Sequence, residues 1–364
     1  MSSSRGWVGR LAVALAAALI AIGLVALVQG RVPCEVLAVQ PVCEVAMQPG
    51  PVEDTLELVS IRDVQVFPPV GGALQLTTVA VQGELGLGGW LLARTDRTVD
   101  LVPRDQVYPP GLDREEVAEL NRAAMQDSQL VATIVALEAV GYELEGEGAE
   151  VVAVQADAVT DQLEVGDVIV AIDDQPIRES TEVVEAVQAR GVGDRVTLSL
   201  RRDAGLVEVA VELGAAPDDP ARAYVGVLLT TDLDLPVDIE VDTGVIGGPS
   251  AGLVFALTLL ELLEPEELLD GRIVAGTGTL ARDGSVGAVG GVRQKLAGAS
   301  APRDGSAPAE VFLVPAGNLD DARAARVAED VLVVPVATLE EALEALRTLR
   351  GGGDPSDAFV VAAG

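Results

Sequence analysis

Histidine is absent from the 364 residues, and lysine occurs once, at Lys295. The missing imidazole excludes a Ser-His-Asp triad, a Cys-His pair, an H-E-x-x-H zinc site and a histidine-ligated haem. Two cysteines, Cys34 and Cys43, cannot build a four-thiolate zinc centre, so no metal is expected. Aromatic residues are few (two Trp, three Tyr, four Phe), too sparse for base-stacking platforms. A formal charge of −33 also opposes a phosphate backbone, so no nucleic acid is expected as a partner.

Two lookalike motifs fail as well. Gly276-x-Gly278-x-x-Ala281 mimics a dinucleotide fingerprint, but Arg282-Asp283-Gly284 follows where a helix is required. Gly287–Gly291 approaches a P-loop without its Gly-Lys-Ser/Thr, and the only lysine is followed by leucine. No cofactor and no ATPase of its own are expected. Whatever chemistry the chain does, it does without imidazole.

What is present begins with an apolar run. Leu11 to Val28 is uncharged, mean hydropathy over the chain is +0.38, and eighteen such residues just span a hydrocarbon core of about 30 Å as a helix. Arg5 and Arg10 precede the run and the first acid is Glu35, which predicts a cytoplasmic N-terminus (1–10), a single-pass anchor in the cell membrane (11–28) and an extracytoplasmic remainder. The lipid bilayer is thus a partner through one helix. A cleaved signal peptide is the alternative, though no small-x-small site precedes Gln29. In an oxidising compartment Cys34 and Cys43 are either bridged or two free thiols.

Residues 29–141 read as a membrane-proximal region of short strands and turns, punctuated by Pro49-Gly50-Pro51, Pro68-Pro69 and Pro109-Pro110. Its helix over 113–141 opens on Asp113 with Glu116 three residues on and stops at Gly141. The region shows no catalytic character. In 142–214, Leu163-x-x-Gly166-Asp167-x-Ile169-x-x-Ile172-Asp173 resembles the core of a PDZ domain, and the order of strands and helix agrees. Such domains capture extended peptides at a strand edge. Gly146 and Gly148 lie near the expected place of its carboxylate-holding loop, without the usual apolar pattern. The alternative is a spacer.

Residues 222–350 carry the chemistry. Gly247-Gly248-Pro249-Ser250-Ala251-Gly252 runs into an apolar helix, which makes Ser250 either an N-cap or a nucleophile beside the positive end of a helix dipole. Main-chain N–H groups at Gly248 and Ala251 are candidates to support an oxyanion there. A serine without histidine needs another base, and a buried amine with a lowered pKa is one. Lys295 follows Gly290-Gly291 in a second helix. Arginine fills all 23 other basic positions, and a surface site would accept arginine too. A general base would not, because guanidinium keeps its proton. The single retained lysine is therefore the candidate base.

Gly248–Gly252, Gly276-Thr277-Gly278-Thr279-Leu280, Asp283-Gly284-x-Val286-Gly287 and Gly290-Gly291-x-x-x-Lys295 together resemble the proteolytic domain of Lon-type serine proteases. The order of anchor, PDZ and this domain resembles the PDZ-containing, YlbL-type Lon-like proteins of bacterial membranes. The resemblance implies an ATP-independent endopeptidase with Ser250 as nucleophile and Lys295 as general base, polypeptide substrates and a homo-oligomeric ring. One departure stands out: Gly247 occupies a position where ATP-dependent Lon often has Asp.

The expected architecture is α+β and multidomain: anchor, β-rich and helical membrane-proximal region, PDZ-like domain, Lon-type α/β domain and a flexible tail over 351–364. A reading of a different class is an anchored PDZ-type scaffold whose Lon-like domain turns nothing over.

Overall fold

The structure, a computed structural model, describes residues 43–363 except 84, 110–113, 145, 156–157, 204, 217–218, 245 and 304, together with 15, 17, 18 and 23. Apart from those last four, the anchor expected over 11–28 lies outside the described residues, as do Cys34 and the Asp113 cap. Among the described residues no helix is long and apolar enough to cross a membrane. Cys43 is disulfide-bonded.

The chain forms two compact units. Gly141–Asp238 is one, and the segments up to Val140 and from Ile239 onward build the other. The larger unit opens with β1 (Glu44–Asp54) and β2 (Ala73–Gln82), an antiparallel pair whose register breaks between Pro49 and Val52. Pro49-Gly50-Pro51 explains the break. Proline lacks the ladder donor, and Gly50 lies so close to β2 that an added Cβ would sit 2.2 Å from Thr78 Oγ1. Helix α1 (Leu87–Thr95) follows, then β3 (Asp100–Pro103) on the other edge of β1. Helix α2 spans Arg114–Ala139 and gives way to Gly141 in the left-handed region (φ +95°).

The smaller unit contains β4 (Gly146–Val154), β5 (Val168–Ile172), α3 (Ser180–Gln188), β6 (Arg195–Arg202), β7 (Gly205–Glu212) and β8 (Val227–Leu233). Its sheet runs β8-β4-β5-β6-β7 around a core that includes Val151, Ile169, Ile172, Leu198 and Leu200. Asp167 is locked by Arg202 at 2.6 Å, and that hydrogen bond holds its carboxyl below the usual carboxylate range. Gly146 and Gly148 do not form a loop. They lie within β4, where added Cβ atoms would meet Arg178 O at 1.9 Å and Val168 Cγ1 at 2.6 Å. The unit also reaches past residue 214: β8, within the segment expected to belong to the proteolytic domain, pairs with β4 as the outer strand.

The chain returns to the larger unit with α4 (Gly252–Leu263), β9 (Ile273–Gly276), α5 (Val292–Ser300), β10 (Val311–Pro315), β11 (Val331–Val336), α6 (Leu339–Arg350) and β12 (Phe359–Val361). One seven-stranded sheet runs β12-β11-β10-β9-β2-β1-β3. Its centre, β2 to β11, is parallel, and β9 to β11 are nearly continuous apolar runs because both faces are covered. Helix α4 is apolar except at Thr258 and Glu261 because the sheet, α2 and α6 surround it, and Leu253, Phe255, Leu257 and Leu259 are wholly inaccessible. Each such side chain contributes about 1.5–3 kcal/mol.

Two expectations change here. Residues 44–140 are not a separate membrane-proximal layer: β1, β2 and β3 complete the sheet that β9 begins, and α2 supplies one wall of the core. The tail does not fray throughout, because Phe359–Val361 pairs antiparallel with β11 and half-buries Phe359.

Candidate active site

Ser250 sits in the turn just before α4, with Ala251 as the helix N-cap residue. Lys295 is the fourth residue of α5, and only 4% of it is exposed. Its Nζ lies 2.6 Å from Ser250 Oγ and 2.8 Å from Thr277 Oγ1. Burial pulls the lysine from its ordinary 10.5 down to about 8, because desolvation penalises the ammonium. No carboxylate hydrogen-bonds to Nζ, which would oppose that shift; its hydrogen-bond partners are two hydroxyls.

Thr277 fixes the direction of these bonds. Its Oγ1 donates to the main-chain oxygen of Ser250 at 3.1 Å, so toward Lys295 it acts as an acceptor. One amine N–H is thereby committed to Thr277. In the neutral amine the lone pair is left for the Ser250 hydroxyl proton. The turn itself is held by Gly278 N–H, which donates to Ser250 O at 2.9 Å. Thr277 follows β9 directly and is fully buried, a placement legible only once β9 and α4 are seen side by side.

The two glycine-rich runs have separate purposes. Gly291 has φ +70° just before α5, and an added Cβ would fall 2.5 Å from Val79 Cγ2 on β2. Gly252 lets α4 press on Leu280, whose N and Cβ both lie 2.9 Å from an added Cβ. Close approach, rather than flexibility, is what these positions need.

Residues 229–348 match the family model of the Lon protease (S16) C-terminal proteolytic domain, and residues 125–213 match that of the PDZ domain. The chain carries both domains, the combination of a PDZ-containing Lon-like protease. No curated protein matches it. Among solved structures, a Geobacillus thermodenitrificans domain determined in solution is 35% identical over 22% of this chain and 95% of its own, with a TM-score of 0.21. The PDZ domain of an SdrC-like protein from Listeria innocua is 26% identical over 22% of this chain and 92% of its own (TM-score 0.21). That of an SdrC-like protein from Listeria monocytogenes is 22% identical over 24% and 93% (TM-score 0.22).

The Lon-like match begins inside β8 and so omits β1, β2 and α2, yet those elements wall the site. An 820 Å³ cavity at Ser250 and Lys295 is lined from this earlier segment by Met47, Val79, Val107, Leu120, Asn121 and Met125 among others. Helix α2 also grips the serine turn. Gly248 N–H donates to Asn121 O at 2.7 Å, and Ser128 Oγ donates to Pro249 O at 3.1 Å. Gly248 therefore does not aim its N–H at the cavity; the bond to α2 takes the expected oxyanion donor away. Ser250, Ala251 and Gly252 provide the neighbouring main-chain N–H groups at the helix start.

The absent acid at position 247 now has a physical reason. An added Cβ on Gly247 would lie 3.0 Å from Asn121 Cβ and 3.1 Å from Asn121 C. Helix α2 stands where a side chain would go.

The same early segment steadies Lys295 from the other side. Asp100 on β3 accepts from Gln294 Nε2 at 2.7 Å and pairs with Arg293, gripping the two residues before the lysine. No group of three or more metal-ligating side chains is found among the described residues.

Proposed function

We propose that this Lon-like protease is a membrane-anchored, ATP-independent serine endopeptidase that cleaves extracytoplasmic polypeptides through a Ser250–Lys295 dyad. The observation that carries the proposal is the 2.6 Å approach of a buried, charge-averse amine to a serine hydroxyl at a helix start. Ser250 Oγ attacks the peptide carbonyl carbon while its proton passes to Lys295 Nζ. The C–N bond breaks as Nζ returns that proton to the departing amine, leaving an ester on Ser250. Water, deprotonated by the same amine, attacks the ester, and the proton goes back to Ser250 Oγ. The positive end of α4 favours the oxyanion formed in each half.

The largely apolar cavity suits uncharged side chains beside the scissile bond, as segments of unfolded chains offer. In the PDZ domain, β8 is the edge strand of its sheet and lies beside α3, and a polypeptide segment would add there by strand pairing. The apolar run 11–28, its preceding arginines and the acid-rich remainder support the anchored, outward-facing placement.

A serine-directed phosphonate applied to membranes containing the full chain tests the reading. Covalent label recovered on Ser250, with cleavage of an unfolded protein blocked in parallel, is the expected result. An unlabelled Ser250 in a folded chain would leave the scaffold reading standing instead.

A further inference from the structure

Helix α1 has an apolar face with nothing packed on it. Leu91 is 53% and Leu92 72% exposed, on the side away from Ala93, which joins Ala46 and Leu85 in a small core. The helix is not loosely attached. Trp90 Nε1 donates to Glu44 Oε2 at 2.6 Å, and Arg94 stacks 4.9 Å over the Trp90 ring. Two adjacent exposed leucines with tryptophan and arginine are the residue types that settle at a lipid–water interface.

The path of the chain says what this face meets. Glu44, which holds Trp90, is the first residue of β1, and only 14 residues separate Val28 from Cys43. Fully extended, they reach at most about 50 Å. Helix α1 is thus held within that reach of the end of the expected anchor.

Charge points to the C-terminal end of the same helix. From Glu35 onward the chain carries a net −36 (57 acids against 21 basic residues), which an anionic leaflet repels except where arginines gather. They gather at the C-terminal end of α1. Arg97, Arg303 and Arg326 line a 440 Å³ cavity there, with Asp96 as its acid; that carboxylate is occupied by Thr98 N at 2.9 Å and Thr98 Oγ1 at 2.7 Å.

We propose that α1 docks on the surface of the anchoring bilayer, with Leu91 and Leu92 in the acyl boundary and the three arginines on anionic phospholipid headgroups. Docking would set which face of the protease is offered to substrates arriving along the membrane. The proposal rests on the anchored reading above, and the test separates the two.

Trp7 and Trp90 are the only tryptophans, so a full-length Trp7→Phe chain reports on α1 alone. It is reconstituted in phosphatidylcholine–phosphatidylglycerol vesicles brominated high on the acyl chains. Trp90 emission should fall relative to unbrominated vesicles. Leu91→Ser with Leu92→Ser should abolish that loss, and so should Arg97→Gln with Arg303→Gln and Arg326→Gln. Both sets should keep cleaving a soluble peptide and keep floating with vesicles after carbonate washing. A parent chain that washes off the vesicles overturns the anchor. A chain that floats with Trp90 unquenched, or quenched equally in the leucine variant, overturns the docking. Equal quenching in brominated phosphatidylcholine alone removes the headgroup contact.

Discussion

Lys295 Nζ and Ser250 Oγ, 45 residues apart in sequence, lie 2.6 Å from each other in a pocket closed to bulk water on the lysine side. If the amine is the base, charge on it must abolish turnover even when shape is kept. Lys295→Arg and Ser250→Ala should each lower kcat/KM on an unfolded protein by about three orders of magnitude or more. The double variant should lose no more than either single one, since the two act as a unit. Appreciable turnover by Lys295→Arg would retire the lysine as base.

The same burial makes activity depend on pH. If the amine is the base, turnover needs it neutral, so kcat/KM should rise as pH increases through about 8 and level off above it. Profiles of hydrolysis between pH 6 and pH 10 on a substrate without titrating groups check this. A rate already at its plateau at pH 6 contradicts the assignment.

Stability should respond to the same group in the same direction. The folded pKa of about 8 lies below the ordinary 10.5, so between these values the unfolded chain binds a proton that the native chain does not. Native stability therefore rises over that window and is lost again as pH falls toward 8. Below it the native state carries a cost of about 3 kcal/mol. Lys295→Met should accordingly be inactive yet melt several degrees higher at pH 7, with the advantage gone near pH 11. A lower melting temperature at pH 7 would mean that the lysine is not desolvated as described.

How much of this was readable beforehand depended on where the determining contacts lie in sequence. Ser250 and Lys295 stood out through local signals: a glycine-rich helix start, and a single lysine among arginines. Thr277 gave no such signal, because its position depends on β9 ending beside the serine turn. The contribution of α2 was hidden for the same reason. Its apolar periodicity identified a packed helix, but Asn121 acts through a main-chain carbonyl, and any residue type could supply that. The sheet was misjudged where pairing is long-range: β2 joins β9 across about two hundred residues, and a period-two pattern does not name its partner. Gly146 and Gly148 leave the loop open in the sequence, because glycine marks close backbone approach as readily as a loop.

Thr277 gives a prediction that distinguishes positioning from packing. Thr277→Val keeps the shape and removes both hydroxyl bonds, to Lys295 Nζ and to Ser250 O. With the amine no longer oriented, kcat should fall roughly 10- to 100-fold while KM stays near its original value. Thr277→Ser should restore most of the rate. Equal loss in the serine variant would show that the methyl group, and hence packing, is what the site requires.

Gly247 offers the strongest test of the link between α2 and the Ser250 turn. The position has no room: an added Cβ would stand 3.0 Å from Asn121 Cβ and 3.2 Å from Asn121 O, the oxygen that accepts from Gly248 N–H at 2.7 Å. Gly247→Ala should shift the turn from α2 by a few tenths of an ångström and stretch that bond, at a cost of about 1–3 kcal/mol in stability. Gly247→Asp adds a charge against the same carbonyl and should cost more. Yet freeing Gly248 N–H also returns an oxyanion donor to the cavity. Ser128→Ala loosens the same turn at Pro249 without adding bulk, because it deletes only the 3.1 Å bond to Pro249 O. If the grip of α2 holds the turn in its working shape, both Gly247→Ala and Ser128→Ala lower kcat. If the grip restrains the turn instead, Ser128→Ala raises kcat while Gly247→Ala loses stability. Melting curves and initial rates on the two variants decide between these outcomes, and unchanged values in both would show that α2 merely abuts the site.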